Sequence, residues 1–390
     1  MKNQNILTSI DKDSVVSLLQ KMIQIKTVNA PGDEKPLAEL LAKEMISFDM
    51  KVQTIDLAEN RANVVGVLKG NGEKKALLFN GHLDTVPPGD VQWTYGPFSG
   101  ELVDGKIYGR GSTDMKGGLA AMIIAAKAIK NAGIPLKGDL IIAGTAGEET
   151  DSIGAFDFLN KGGLNDVGAI VIGEPSSCGI NVAEKGAFWV EITTYGKTAH
   201  GAFPGQGINA ISDMHLLLGE LLNYEFKYER SDLLGYPTMN ISTIQGGVKT
   251  NVVPDKCTIT IDMRTVPSIN HEDILKDLQE IIDNLKKQNT SFHATIRVLN
   301  NRPSVETSKD HPFVKMAQDV IREEFNRIEE PKGVNFYTDA AVFLPAMNLP
   351  AIFYGPGDAD MAHQPDEHVR VDSLVEAVQF YAAMIERYLG

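Results

Sequence analysis

Residues 76–84 read Ala-Leu-Leu-Phe-Asn-Gly-His-Leu-Asp, an apolar run that ends in a histidine and an aspartate. Similar runs precede other acids and histidines, for example Leu140–Ala143 ahead of Glu148 and Glu149. In an open parallel sheet, ligands bind in the crevice outside the carboxyl ends of the strands. We therefore expect the polar residues that follow these runs to meet in one crevice. They are His82, Asp84, Glu148, Glu149, Glu174 and His363.

Composition limits the class of protein. With 390 residues and 43% hydrophobic content, the chain is longer than one hydrophobic core usually grows, so two domains are expected. A formal net charge of -14 and the lack of a basic cluster argue against binding to nucleic acid or to an anionic membrane. Met1–Val15 contains no apolar signal segment and only two cysteines are present, so a reducing, cytoplasmic location is expected.

The pattern of helices and strands changes along the chain. Short apolar runs alternate with amphipathic helices in the first part, which predicts an α/β domain with a mostly parallel central sheet covered by helices. Beyond residue 182 the order becomes that of an α+β sandwich. We predict a discontinuous α/β domain of residues 1–182 and 302–390, and an inserted α+β domain of residues 183–301.

The spacing of the polar residues is compatible with metal binding. His82 and Asp84 alternate, so they share a face of an extended stretch, and a metal-binding imidazole normally donates its other N–H to a carboxylate. Glu148 and Glu149 are adjacent and point in different directions, so one can bind metal while the other faces a water. Each residue taken alone could equally be an acid or a histidine in a surface turn. The interpretation depends on their occurring together.

Other common sites are absent from the sequence. Asp114 lies in a glycine-rich stretch, Gly109–Gly118, but the spacing fits neither a phosphate-binding loop nor a dinucleotide fingerprint. There is no His-Glu-x-x-His, Gly-x-Ser-x-Gly or Cys-x-x-Cys motif either. A serine or thiol nucleophile is thus disfavoured.

Several motifs resemble those of the M20 family of co-catalytic zinc hydrolases, and the resemblance extends over nearly the whole chain. The motifs are Gly81–Pro87, Gly109–Gly118, Gly147–Glu149 and Gly173–Pro175. Gly355–Gly357 followed by Ala362–Glu367 is similar to the C-terminal motif of the acetylornithine deacetylase and succinyl-diaminopimelate desuccinylase group.

The resemblance implies a zinc-peptidase-like catalytic domain that binds two divalent metal ions, zinc foremost, with cobalt or manganese as alternatives. Asp114 would bridge the two ions, and a cis peptide bond would follow it. The implied ligands are His82 and Glu174 for one ion, and Glu149 and His363 for the other. Glu148 would be the general base and Asp84 the carboxylate partner of His82.

The inserted domain carries motifs that resemble the lid, or dimerisation, domain of the same family. They are Thr198–Pro204, Gly246–Pro254 and Asp262–Pro267. The resemblance implies a homodimer in which His200 donates to the oxyanion, often from the partner subunit. Asn251 and Arg264 would hold the substrate, a task suited to the planar guanidinium of arginine.

These expectations lead to a hydrolase that cleaves the amide bond of a small N-acylated amino acid, using water activated by two metals and Glu148 as the base. A metallopeptidase of the same family, a dipeptidase or carboxypeptidase acting on a short peptide, is the alternative. A non-catalytic binding protein that retains the fold is a third reading, which the complete ligand set disfavours. The acyl group and the amino-acid side chain are left open.

Overall fold

The computed structural model describes residues 10–390, so the first nine residues, which include most of the segment searched for a signal peptide, lie outside it. The strands are β1 (Lys51–Ala58), β2 (Arg61–Leu68), β3 (Ala76–His82), β4 (Leu102–Val103), β5 (Lys106–Tyr108), β6 (Leu140–Thr145), β7 (Val167–Ile172), β8 (Asn181–Glu184), β9 (Gly186–Tyr195), β10 (Thr238–Gly246), β11 (Lys256–Thr265), β12 (His293–Arg302), β13 (Val305–Glu306), β14 (Lys332–Val334), β15 (Ala351–Phe353) and β16 (His368–Arg370). The helices are α1 (Lys12–Gln24), α2 (Lys35–Ile46), α3 (Lys116–Asn131), α4 (Ile153–Asn160), α5 (Ala210–Leu221), α6 (His271–Gln288), α7 (Pro312–Phe325), α8 (Ala340–Met347) and α9 (Val371–Leu389).

The chain divides into two units. The first contains the described residues up to Val182 together with Thr307–Lys332 and Thr338–Gly390. The second contains Ala183–Glu306 and the short return segment Gly333–Tyr337. It therefore extends a few residues beyond the 183–301 range that the sequence pattern predicts.

A parallel sheet with the strand order β6-β3-β7-β15 lies at the centre of the first unit. All seven residues of β3 are buried, so both faces of this strand are covered. Strands buried on both faces read as continuous apolar runs, which is the pattern seen at Leu77–Phe79. β2 and β1 continue the sheet beyond β6 in antiparallel orientation. The predicted α/β class with a mostly parallel central sheet is confirmed.

Helix α3 connects this sheet to the other helices of the first unit. It is buried along nearly its whole length, because it packs on β3 and β6 and is covered by α1 and α9. The residue before α1, Asp11, caps the helix, because its side chain accepts a hydrogen bond from the main-chain nitrogen of Asp13 at 3.0 Å. α3 itself begins at Lys116, two residues after Asp114, and packs on β3 and β6.

Two short helices, α4 and α8, are not predicted by the sequence pattern. Each has only eight residues, too few to show a clear helical period. α8 also contains Pro345, which lacks the N–H that a helix interior uses.

The second unit is an antiparallel sheet in the order β10-β11-β9-β12, with α5 and α6 packed on it. The burial of β11 alternates residue by residue, so one face points into a core and the other does not. That core includes Ile192, Met214, Leu217, Ile259 and Leu278. The α+β character predicted for this region agrees with this arrangement.

None of the helices within residues 10–390 has both the length and the apolarity needed to cross a membrane.

Gly118 lets α3 approach the chain that leaves β7. A Cβ atom at Gly118 would lie 2.0 Å from the carbonyl oxygen of Gly173, a distance that no packed atom tolerates. Gly118→Ala should therefore lower the free energy of unfolding, by the 1–3 kcal/mol or so that overpacking costs, even though alanine is the better helix former. Denaturant unfolding of the two proteins measures the difference.

The matched control is Gly219 in α5, where a Cβ would have nothing within 4 Å. Gly219→Ala should raise the free energy of unfolding by up to about 1 kcal/mol, the intrinsic helix preference of alanine over glycine. If both substitutions stabilised the protein, the close contact at Gly118 would be disproved.

Candidate metal centre

Three strands of the central sheet bring side chains to the same edge. His82 is the last residue of β3, Glu148 and Glu149 follow β6, and Glu174 follows β7. These strands are parallel, so their carboxyl ends lie together. The convergence expected from the sequence is present for these four residues.

Asp114 lies between the two histidines. Its Oδ1 is 3.0 Å from Nε2 of His82, and its Oδ2 is 3.4 Å from Nε2 of His363. Each carboxylate oxygen thus faces a different imidazole, which is the arrangement a bridging ligand requires. The Asp114–Met115 peptide bond is cis, as the family resemblance implies.

The remaining two carboxylates are divided between the two sides of Asp114. Oε1 of Glu174 is 3.7 Å from Nε2 of His82, and Oε1 of Glu149 is 3.3 Å from Nε2 of His363. Potential ligand atoms of His82, Asp114 and Glu149 all lie within 4.8 Å of one another. Glu174 is thus near His82 and Glu149 is near His363, while the 4.8 Å group takes one residue from each of these pairs.

Asp84 is completely buried and organises the loop that follows β6. Its Oδ1 accepts hydrogen bonds from the main-chain nitrogens of Gly147 and Glu148, at 3.0 and 3.1 Å. Its Oδ2 accepts from the main-chain nitrogen of Glu149 at 3.1 Å and from Nδ2 of Asn29 at 2.9 Å. The carboxylate thus sets the directions in which Glu148 and Glu149 leave the main chain.

The hydrogen bond that orients His82 differs in detail from the one expected. Nδ1 of His82 lies 3.0 Å from the main-chain oxygen of Asp84, whereas Oδ1 of the carboxylate is 3.7 Å away. The carboxylate oxygens are occupied by main-chain amides, which leaves the carbonyl as the acceptor. Because a carbonyl can only accept, Nδ1 carries a proton, and Nε2 is the nitrogen that faces the centre and would bind a metal ion.

The acids of the centre are strongly perturbed by burial. Burial raises the pKa of Glu148 well above its usual value, with His82 opposing the shift and Glu174 adding to it. Burial also raises the pKa of Glu174. Hydrogen bonds with Asp114 and Glu149 raise the pKa of His363 to about 10. These shifts reflect closely spaced negative charge, which a bound cation would balance.

The residues fit divalent metal ions. Within residues 10–390, no lysine or arginine forms an ion pair with the four acids of the centre, Asp114, Glu148, Glu149 and Glu174. Buried charges require a partner. Imidazole and carboxylate ligands in these numbers suit zinc, and also cobalt or manganese.

Sequence reasoning does not single out three residues that support the centre, namely Asn29, Arg110 and Glu367. Asn29 Nδ2 lies 2.8 Å from Oγ1 of Thr150 in addition to its bond with Asp84. Arg110 and Glu367 are buried and paired with each other. The sequence contains one indication of their importance: Arg110 lies in the same motif as Asp114, and Glu367 lies in the same motif as His363.

The second unit brings two of its three predicted site residues together. The main-chain nitrogen of Gly201, next to His200, donates to the carbonyl of Asn251 at 2.8 Å. The main-chain nitrogen of Ala202 donates to Nδ1 of His200 at 3.1 Å, so Nε2 is the protonated nitrogen in the neutral ring. Arg264 pairs instead with Asp262, with 3.0 Å between Nε and Oδ1.

Arg264 and Asn251 lie at opposite ends of β11. Asn251 precedes the strand, and Arg264 is its penultimate residue. The strand has ten residues, so it is roughly 30 Å long at about 3.3 Å per residue.

Comparisons with known proteins agree with this architecture. Residues 78–387 match peptidase family M20/M25/M40. A probable succinyl-diaminopimelate desuccinylase from Staphylococcus epidermidis is 30% identical over 98% of this chain and 100% of its own length. An acetylornithine deacetylase from Buchnera aphidicola is 30% identical over 96% of this chain and 98% of its own length.

A solved structure shares the fold. The M20 family metallo-carboxypeptidase from Sulfolobus solfataricus is 19% identical and has a TM-score of 0.81, covering 96% of this chain and 99% of that chain. Given the match over most of its length, the chain belongs to peptidase family M20, a family of metal-dependent hydrolases.

Proposed function

We propose that the protein hydrolyses the amide bond of an N-acylated amino acid, as an N-acyl-amino-acid deacylase. The observation that carries the proposal is Glu148, a buried acid that interacts electrostatically with three of the proposed ligands, His82, Glu149 and Glu174, and is not itself one of them. A site that only bound metal would have no use for this additional carboxylate. The relatives named as a desuccinylase and a deacetylase support the choice of an acylated amino acid over a peptide.

In this proposal two divalent metal ions, zinc foremost, would have the carboxylate of Asp114 as a common ligand. His82 and Glu174 would hold one ion, and Glu149 and His363 the other. Bound there, the ions would polarise the acyl carbonyl and generate a water-derived nucleophile near neutral pH.

Glu148 is the proposed general base. Its main-chain nitrogen is fixed by Asp84 at 3.1 Å, which constrains where the side chain can reach. The carboxylate would take a proton from the attacking water and deliver it to the departing amine. Because burial raises the pKa of Glu148, the protonated form that arises between these two steps is stabilised.

His200 is the proposed oxyanion donor. Its exposed ring accepts from the main chain through Nδ1, so the Nε2–H is available for a developing negative charge. Asn251 and Arg264 lie at opposite ends of β11, so a small substrate cannot contact both of these residues in the same subunit. This separation bears on which subunit supplies His200. A homodimer formed through the lid domain would resolve this, with His200 and Asn251 supplied by one subunit and Arg264 by the other.

A metallopeptidase acting on a dipeptide or a peptide C-terminus is the second candidate. The metal centre would be the same, and the two functions differ only in the acyl side of the substrate. The carboxypeptidase likeness concerns the fold and does not decide between them.

The test of the proposal is a hydrolysis screen. N-acetyl and N-succinyl amino acids, including N-acetylornithine and N-succinyl-diaminopimelate, are assayed beside dipeptides with zinc added. We expect kcat/KM for one of the acylated amino acids to exceed that for every dipeptide. A higher kcat/KM for the dipeptides would instead establish the peptidase.

Replacing the proposed base should separate turnover from metal binding. Glu148→Gln keeps the shape of the side chain but cannot accept the proton, so kcat should fall by about 100- to 10,000-fold with two zinc ions still bound. The control Glu149→Gln alters a proposed ligand and should lose bound zinc as well. Metal analysis of the dialysed proteins beside the assay checks both, and normal turnover by Glu148→Gln would exclude it as the base.

Mixing two inactive variants tests whether His200 acts across the dimer. His200→Ala and Glu148→Gln are each expected to lack activity, and they are unfolded together and refolded as a mixture. If His200 acts from the partner subunit, one site of each mixed dimer contains both intact residues, and activity returns. If it acts within its own subunit, every site lacks one residue and the mixture stays inactive.

A further inference from the structure

Arg110 and Glu367 form a buried ion pair close to the metal centre. Their exposed fractions are 2% and 0%, and Nη1 of Arg110 lies 2.5 Å from Oε2 of Glu367. Burying two charges is costly unless further hydrogen bonds accompany the pair. The hydrogen-bond partners of the other polar atoms, Oε1 of Glu367 and Nη2 of Arg110, therefore indicate the role of the ion pair.

Glu367 holds the main chain of the shared ligand. Its second oxygen, Oε1, accepts hydrogen bonds from the main-chain nitrogens of Thr113 and Asp114, at 2.9 and 3.1 Å. Thr113 also donates its hydroxyl to the carbonyl of His368 at 2.8 Å. The segment that carries Asp114 is thus attached to the segment that carries Glu367.

Arg110 holds the main chain of a second ligand. Its Nη2 donates to the carbonyl of His363 at 3.2 Å and lies 3.5 Å from the carbonyl of Pro87. The ring of Trp93 covers the guanidinium at 5.2 Å. One planar side chain therefore joins Glu367, and through it Asp114, to the backbone of His363.

The pair is itself well anchored. Arg110 lies shortly after β5 and Glu367 directly precedes β16, and these two strands pair with each other. The main-chain nitrogen of Gly109 donates to the carbonyl of Glu367 at 2.8 Å. The connection between the two segments is consequently made twice, once by the main chain and once by the side chains.

The two halves of the metal centre differ in how much they need such support. His82 and Glu174 extend directly from β3 and β7, whose sheet holds them in place. His363 lies in a loop between β15 and β16, its side chain is 50% exposed, and its φ of 64° is one that residues with a side chain rarely adopt.

We propose that Arg110 and Glu367 are positioning residues that hold His363 at the correct distance from Asp114, and so set the affinity of the metal site formed with Glu149. The site formed with His82 and Glu174 depends on them less, because it shares only Asp114 with this network and its other two ligands are held by the sheet. This inference rests on the proposed two-metal function. Lysine cannot replace Arg110 in the role, because a single ammonium group lacks the fixed fork that reaches Glu367 and a carbonyl together.

Zinc titration of the full-length, metal-free protein by calorimetry tests the proposal. In the wild type we expect two binding events. In Arg110→Lys and in Glu367→Gln, one event should weaken by about 10- to 100-fold, the usual effect of losing a group that orients a ligand. The other should weaken less, because the pair contacts only its shared ligand, Asp114. Saturating zinc should restore much of kcat, which a generally damaged fold would not allow.

The matched control is Arg327→Lys. Arg327 also joins a carboxylate and a carbonyl, with Nη1 at 2.9 Å from Oε1 of Glu376 and Nη2 at 2.6 Å from the oxygen of Cys178, but it contacts no proposed ligand. Both zinc affinities should be unchanged in this variant. Glu367→Gln preserves the volume of the side chain, so it provides a second reading if Arg110→Lys fails to fold.

The outcomes separate the two proposals. A wild type that binds fewer than two zinc ions would overturn the two-metal function itself. Two normal events in the wild type, combined with unchanged or equally weakened events in both variants, would overturn only the role of Arg110 and Glu367.

Discussion

The carboxylate of Asp84 accepts hydrogen bonds from the main-chain nitrogens of three consecutive residues, Gly147, Glu148 and Glu149. Hydrogen bonds to an ionised acceptor are among the strongest in proteins. The turn they stabilise needs Gly147 in a left-handed conformation, with φ of 84°. Since the carbonyl of Asp84 also orients His82, one residue relates the end of β3 to the loop after β6. The positions of the proposed ligands His82 and Glu149 and of the proposed base Glu148 depend on this residue.

The centre concentrates negative charge, and within residues 10–390 no lysine or arginine forms an ion pair with its four acids. Glu148 and Glu174 are buried, and burial raises the pKa of both carboxyl groups. Such an arrangement lowers the stability of the protein by itself. A bound cation that balances this charge would therefore raise the stability of the protein.

Much of the fold follows from local patterns. The apolar run Leu77–Phe79 and the helical period of Lys116–Asn131 predict β3 and α3, and the latter has those bounds in the structure. Short elements such as α4 and β16 could not be predicted, because they form through contacts with distant segments and not through their own periodicity. The sequence likewise did not predict that Gly333–Tyr337 belongs to the second unit, because this depends on tertiary contacts and not on a local pattern.

The site divides in the same way. The sequence by itself determined which residue types follow the strands, and parallel strands place such residues at one edge, so His82, Glu149 and Glu174 could be grouped in advance. Only the tertiary structure decided that Asp114 faces a different imidazole with each oxygen, that Asp84 binds amides and not His82 with its carboxylate, and that Arg110 and Glu367 connect the loops. These are contacts between segments far apart in the chain, and they depend on atomic distances that residue spacing does not encode.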